Sequence, residues 1–500
     1  LTGWLLGTPP PAAKIPLLDD SASDDPFGSS RSPSSAADDP FGSSRSPSSA
    51  ADDPFGSSPG AAFGSSSPAA GSDAYDPFSG LDSSFTSTFG SADPFNTNPG
   101  GVRVVPQAKL LTGASWDLSG GFLTGMLGGN LKATSPVAFS TALLAWGLSS
   151  FGEAYDEAGV RQQLLDNVRW GSDYLMKVHQ TAGKQELIVT RVGDVESEVQ
   201  LWYRPEDSSA ARPAYAVDMV EGASDLGGSV AAALAASSVV FRAAEDAAYA
   251  SALLTKAEQI YQIAKTNLGF YSVQDFNASL LYNSTTYYDD LAWAAAWLYK
   301  ATAQSNYLSD LYDLYVRHLH YEDEYDASYV FDWDHVFWPT NVLMAQESGV
   351  ATFVSQSQTY LQHWLCANQA ANYTLRGRAY NPASPSTGAT LNTAMTALMF
   401  ADVVSHTDDV AAKAYRCWAL GQIRYVLGDS GRSLTVGVGK QPPERTQDRN
   451  AACPTRPQTC NRVTGLLSPD PDTYVLEGAL VYGPSDSDYF VDDRKDESNQ

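Results

Sequence analysis

The sequence predicts an all-α domain, an α/α barrel with a loop-built cleft, preceded by a disordered low-complexity N-terminal region. After about residue 115, apolar residues recur at helical spacing in ten separate stretches. Alternating-residue strand patterns are few, and the loops are longer than a simple bundle needs. Residues 1–101, by contrast, are a Ser/Pro/Gly/Asp polymer in which Asp24–Ala37 repeats as 38–51, with a third copy beginning at Asp52.

That N-terminal region buries too little apolar surface to offset its ordering entropy, so 1–101 reads as disordered and 102–500 as the folded domain. Its Asp-Pro-Phe tripeptide returns at Asp76 and Asp93. Such tripeptides resemble the short peptides that dock on clathrin-adaptor appendage domains, which implies an adaptor protein as partner. The spacing then predicts helices over 136–150, 160–180, 224–243, 250–267, 289–303, 307–320, 335–348, 351–369, 392–405 and 409–427. Ser224 and Asp225 offer an N-cap ahead of an Ala-rich run. Asp289 and Asp290 place negative charge at the start of a helix whose Trp293, Ala296 and Trp297 share one face. Aromatics so placed are ordinarily core.

Composition narrows the function. A hydrophobic share of 43% supports a sizeable core, and 11 Trp with 26 Tyr is a generous aromatic supply. The net charge of -26 argues against nucleic acid and anionic membrane surfaces, both of which attract basic patches, and fits a neutral ligand. No apolar run is long enough to span a bilayer. The chain opens Leu1-Thr-Gly-Trp4 without Met or a signal peptide's basic start, so it reads as a fragment. Its cysteines are Cys366, Cys417, Cys453 and Cys460, with no CxxC or Cys/His spacing; no zinc site and no cofactor are expected. Cys453 and Cys460 share one Pro-rich loop and can pair in an oxidising compartment. Sequons at Asn277, Asn283 and Asn372 permit glycosylation. Together these features lean towards an extracellular protein.

The segment Arg191–Arg212 carries the sharpest hint of chemistry. It sets Trp202 beside Arg204, Glu206 and Asp207, with Pro205 forbidding a continuous helix. A flat indole packs on the C–H face of a sugar ring, while fixed charges bond its hydroxyls. The plainer reading is an irregular loop whose charges pair with one another.

Further segments settle the company this one keeps. They are Asp173-Tyr-Leu-Met-Lys-Val-His179, Val-Gly-Asp194, Trp202-Tyr-Arg-Pro-Glu-Asp207, Ala-Ser-Asp225, Tyr288-Asp-Asp-Leu-Ala-Trp293, Phe331-Asp-Trp-Asp334, Tyr425-Val-Leu-Gly-Asp429, Val436-Gly-Val-Gly439 and Ala479-Leu-Val-Tyr-Gly-Pro484 with Phe490-Val-Asp-Asp-Arg494. In order and spacing, residues 116–496 resemble the glycoside hydrolase family 9 cellulases. The resemblance implies an (α/α)6 barrel and inverting cleavage of β-1,4-glucan. Inversion uses one carboxylate to activate water and a carboxylic acid to protonate the leaving oxygen, about 6.5–9.5 Å apart. It also implies that Trp202, Arg204, Tyr288 and Trp293 line or support the glucan cleft. Arg449 matches the arginine of the family's His-His-Arg motif, and Asp492 the first aspartate of its Tyr-x-Asp-Asp-Arg motif. Relatives carry structural calcium, but no compact cluster of oxygen ligands stands out along the chain.

The departures gather on catalysis. Where the family carries Asp-Ala-Gly-Asp, Gly120–Lys132 has no carboxylate. Gln447 and Asp448 replace the His-His pair, Val199 the histidine ahead of the cleft Trp, and Ser384–Ala389 a Trp-Gly-Ser-x-Arg-Tyr stretch. The general-acid glutamate falls at position 501; Gln500 and Glu497 are the nearest residues. The first and last barrel helices are also unrecognisable. Three readings follow: an incomplete copy of a working cellulase, a glucan-binding pseudo-hydrolase, or a recruited Asp448/Asp492 acid–base pair.

Overall fold

The computed structural model describes residues 108–111, 116–123, 129–195, 198, 201–207, 212–322 and 326–496. The Asp-Pro-Phe repeats and the 101/102 boundary lie outside the described residues. All ten helices expected from spacing are present, with shifted ends. In chain order the helices are α1 (Thr134–Ser150), α2 (Gly152–Glu157), α3 (Arg161–Leu175), α4 (Ser224–Ala243), α5 (Ala247–Thr266), α6 (Tyr271–Gln274), α7 (Phe276–Ser279) and α8 (Tyr288–Thr302). They continue with α9 (Ser305–Tyr321), α10 (Phe337–Ser348), α11 (Ala351–Trp364), α12 (Thr387–Val404), α13 (Asp409–Arg424) and α14 (Arg449–Ala452).

Two kinds of long helix alternate, and their sequences explain why. On α5, Leu253, Ala257, Ile260, Tyr261 and Ala264 form one buried face; α9, α11 and α13 repeat that single stripe. In contrast, α1, α4, α8, α10 and α12 are buried on nearly every face. An amphipathic helix can cover a core from outside, whereas an all-apolar helix must be surrounded. Each inner helix accordingly packs on an outer one: α1 on α3, α4 on α5, α8 on α9, α10 on α11, α12 on α13. The inner helices also pack in succession, α1 on α4, α4 on α8, α8 on α10 and α10 on α12. Five inner–outer pairs stand among the described residues.

Small residues set the spacing of the inner ring. A Cβ added at Gly227 would fall 2.7 Å from Ala264 Cβ on α5, and one at Gly228 2.7 Å from the Asp290 backbone carbon on α8. Successive glycines thus let α4 touch two neighbours at once. At the ring's centre Trp146 meets Trp293 and Trp297 edge-on, at 5.3 and 6.1 Å between centroids. Serines interrupt the apolar run of α4, yet by length and mean hydropathy the helix could cross a membrane; 83% of its most apolar window is instead buried among its neighbours.

Three expectations need correction. The helix predicted to reach residue 180 ends at Leu175, and the chain enters β3 (His179–Ala182) and β4 (Gln185–Val192). With β1 (Lys109–Leu110), β2 (Lys132–Ala133) and β5 (Ala214–Asp218) these build an antiparallel sheet in the order β1-β5-β4-β2, β3 pairing with β4. Its longest strand shows no alternation because five consecutive residues, Leu187–Arg191, are buried. The third concerns the α4 cap. Ala223 occupies that position, while Ser224 Oγ donates to Ala264 O at 2.9 Å and Asp225 accepts from Leu226 N and Tyr271 N. Cys453 and Cys460 are bonded, with 5.2 Å between Cα atoms.

Replacing Gly228 by Ala inserts a methyl against α8 backbone, which cannot give way as a side-chain tip would. Gly228→Ala is expected to lower unfolding free energy by about 1–3 kcal/mol. Urea denaturation of wild type and variant checks this, and an unchanged midpoint would count against the close approach.

Candidate active site

Residues 202–207 meet residues 449–466, some 250 positions away in sequence. Trp202 is 9% exposed and packs with Ala452, Leu466 and the Cys453–Cys460 bridge. Gly465 lies so close that any Cβ there would overlap the indole. Arg449 stands 5.5 Å from the same ring and donates to Leu201 O. Arg204 is buried, donating to Asp207 Oδ2 at 2.9 Å, to Gln458 O at 3.0 Å and to Pro454 O. Arg456 grips the other oxygen of Asp207. The two segments form a clasp of one indole, three guanidiniums and a disulfide.

Glu198 fastens this clasp to the stretch around Asn130. Its carboxylate accepts from Asn130 N at 3.1 Å and from the Tyr203 hydroxyl at 2.8 Å. It also lies 3.8 Å from both Arg212 and Arg449. Asn130 belongs to the stretch that lacks carboxylates, which is held elsewhere by Lys132. The Lys132 amine donates to Leu118 O and Gly120 O at 2.7 and 2.6 Å, and burial pulls its pKa down to about 8. Residues 124–128 of this stretch, Val199, Glu497 and Gln500 lie outside the described residues.

The two candidate carboxylates each hold backbone. Asp448 caps α14, accepting from Asn450 N at 2.9 Å and Ala451 N at 2.8 Å, and burial raises its pKa. Asp492 accepts from Glu444 N and Arg445 N at 3.1 Å, with Arg445 and Arg432 guanidiniums each at 3.4 Å. Nearby Asp472 accepts from Thr446 N at 2.9 Å and from Arg494 at 2.7 Å, fixing the same loop from its other side. The remaining sequence candidates sit deeper. Tyr288 is buried, its ring between Tyr287 and Tyr321. Trp293 is 2% exposed within the central aromatic cluster, so its ring supports the barrel and presents no face to solvent.

A pocket that sequence reasoning did not single out opens beside Phe331–Asp334. It encloses about 250 Å³ and is lined by Tyr329, Asp332, Trp333, His335, Asn381 and Ser384, among others. Tyr329 stacks on His335 at 4.5 Å. Asp332 holds His335 Nδ1 at 2.9 Å and accepts from Ser384 Oγ at 3.1 Å. Ring faces with fixed hydroxyl partners suit a polyol. Phe331-Asp-Trp-Asp334 was legible as a motif, but its partners Asn381 and Ser384 come from a distant loop.

Behind the pocket lies a buried group of aspartates. Burial pushes Asp225 up to about 7 and Asp334 up to about 6. Burial, and then the charge of Asp289, raise Asp290 well above the usual carboxylate range. Asp289, His318 and Glu322 also converge, their ligand-type atoms within 4.8 Å of one another. Glu322 accepts from Tyr287 N and Tyr288 N at the start of α8, and pairs with His318 at 2.7 Å. Asp289 Oδ1 is buried with no hydrogen-bond partner among the described residues. Clustered buried carboxylate oxygens, one of them unpartnered, fit the hard divalent cation that the family resemblance implies. Asp289, with Glu322 and His318 converging on it, would hold such an ion, and it would supply counter-charge to these carboxylates. The cluster escaped the sequence reading because helix starts and a loop from separate segments build it.

Inner and outer helix pairs with loop-built sites at their ends define the (α/α)6-barrel class. More narrowly, this chain belongs to the family described as glycosyl hydrolase family 9, whose sequence profile matches residues 91–500. It is similar to Endoglucanase 4 of Bacillus sp. (strain KSM-522), 32% identical over 389 residues, 76% of this chain and 58% of that protein. The chain spans a little over half the length of that relative. A solved endoglucanase from the termite Nasutitermes takasagoensis superposes with a TM-score of 0.70 at 35% identity, covering 79% of this chain and 86% of that one. The cellulase Cel9M of C. cellulolyticum in complex with cellobiose gives 0.67 at 26% identity, covering 77% and 84%.

Two outcomes follow from the buried aspartates. Unfolded aspartate titrates near 4, so between about pH 4 and 7 the folded state holds more protons at Asp225 and Asp334. Their contribution to stability is complete below about pH 4 and is lost as pH rises through about 6 to 7. In EDTA, Asp225→Asn therefore flattens the fall of Tm over this interval, and parallel Tm profiles would refute the assignment. Calcium at pH 7 is expected to raise the wild-type Tm and to leave that of Asp289→Asn unchanged, as read by calorimetry.

Proposed function

We propose that this chain recognises β-1,4-glucan and is a secreted endo-β-1,4-glucanase domain of its family, cleaving with inversion. The observation that carries the reading is the pocket at Trp333, where Tyr329, His335 and Trp333 rings meet Asp332, Asn381 and Ser384 in a family-9 barrel. The cellobiose complex of Cel9M supports a cello-oligosaccharide as ligand. The Cys453–Cys460 bond supports an oxidising, extracellular setting. Trp202, Arg204, Tyr288, Trp293 and Arg449 act in this reading as supports that fix the cleft wall, not as surfaces that touch sugar. Inverting hydrolysis then draws on a carboxylate to activate water and an acid to protonate the leaving oxygen.

A second reading, binding without cleavage, is favoured by one specific arrangement. Residues 118–132 contain no Asp or Glu, and Asp448 and Asp492 already accept backbone N–H groups. Oxygens already engaged by backbone N–H groups hold the loop in place, and those bonds must be given up before the carboxylate can take a proton from water.

Carboxymethyl cellulose incubated with the purified chain separates the two readings. Release of reducing ends supports the glucanase, and Asp492→Asn abolishing it would place that residue in the reaction. Retention on cellulose with no reducing ends supports the binding protein. In both cases Trp333→Ala is expected to weaken cellobiose binding by roughly tenfold, about 1.4 kcal/mol. Wild-type affinity in that variant would remove the pocket from the account.

A further inference from the structure

The pocket wall bearing Ser384 runs on to Thr387, and Thr387 is clasped to a second loop. Its backbone N–H and its hydroxyl each donate to Tyr482 O at 2.8 Å. Buried Arg378 stitches the same two loops, donating to Pro385 O on one and, at 3.0 Å, to Pro484 O on the other. Gly483 between them has φ +116°, and a Cβ there would collide with the Thr387 side chain, so the loops are in direct contact. Tyr482 is thus anchored through its backbone and both flanks. The residue nevertheless stays 40% exposed, among the large apolar residues that the fold leaves in solvent.

A tyrosine fixed through its backbone and part exposed beside a sugar pocket suits stacking on a pyranose C–H face, because a fixed backbone lessens the entropy lost when the sugar arrives. Residues 384–389 are Ser, Pro, Ser, Thr, Gly and Ala. This stretch of the wall offers no ring. Tyr482, tied to the middle of that stretch, supplies an aromatic surface at the same wall.

Resting on the glucan-binding reading above, we infer that Tyr482 is a substrate-binding residue, an aromatic platform for a glucosyl unit just beyond the pocket. The ligand is therefore a β-1,4-linked chain longer than the pocket alone accommodates. The order of events needs no bond making or breaking at this residue; its part is affinity and placement of the chain.

Calorimetric titration with non-hydrolysable S-linked cellobiose, cellotriose and cellotetraose tests this on the full chain. Wild-type affinity is expected to rise with length. Tyr482→Ala should weaken cellotetraose by roughly tenfold and leave cellobiose unchanged, while Tyr482→Phe keeps the length dependence. Matching melting temperatures guard against a folding defect, and the Phe variant covers the case in which Ala unfolds the loop. An unaltered length dependence in Tyr482→Ala overturns the platform and leaves the pocket standing. Wild-type protein that binds none of the three sugars removes the glucan reading, and the platform with it.

Discussion

Burial of the inner helices on all their faces is the constraint from which the remaining architecture follows. Once α4 is Ala-rich and paired through Gly227 and Gly228 with its neighbours, no side chain in its middle reaches water. The same holds for Trp293 and Trp297 on α8, which meet Trp146 at the centre. Polar chemistry is thereby expelled to the helix ends and their loops. That is where the aspartates, the pocket and the Trp202 clasp are found.

The loops are held by charge more than by apolar packing. Glu198 answers to Arg212 and Arg449, Asp207 to Arg204 and Arg456, Asp472 to Arg494, and Asp275 to Arg191. Several of these guanidiniums are buried, and a buried charge stripped of its partner is strongly destabilising. Such pairs do little to favour folding over a well-packed apolar core, but they define which loop meets which. Asp448 and Asp492 hold loops as well, each by accepting backbone N–H groups.

Most of the barrel was legible because helical periodicity is local: one buried stripe on α5, α9, α11 and α13 writes itself into neighbouring residues. The ends were less so. The chain leaves the helix at Leu175 for β3 and β4, and β4 hides its strand character because five residues in succession are covered. The site was legible only in part. The structure brings Trp202, Arg204 and Arg449 into one buried group, an association that their separate places in the sequence do not announce. Whether an aromatic faces sugar or core depends on partners hundreds of residues away, as Gly465 shows for Trp202. The pocket and the aspartate cluster draw single residues from several segments, so no spacing along the chain announces them.

The contact between Trp202 and Gly465 also carries a consequence for descent. An indole at 202 and any side chain at 465 claim the same volume, so neither position is free to drift alone. A lineage that replaces the glycine must first, or simultaneously, shrink the tryptophan. Doing so would loosen the ring against which Arg449 and the disulfide rest. Two sites more than two hundred and fifty residues apart are therefore inherited as one unit, and a chimera exchanging only one of them would be expected to lose the packing of this clasp.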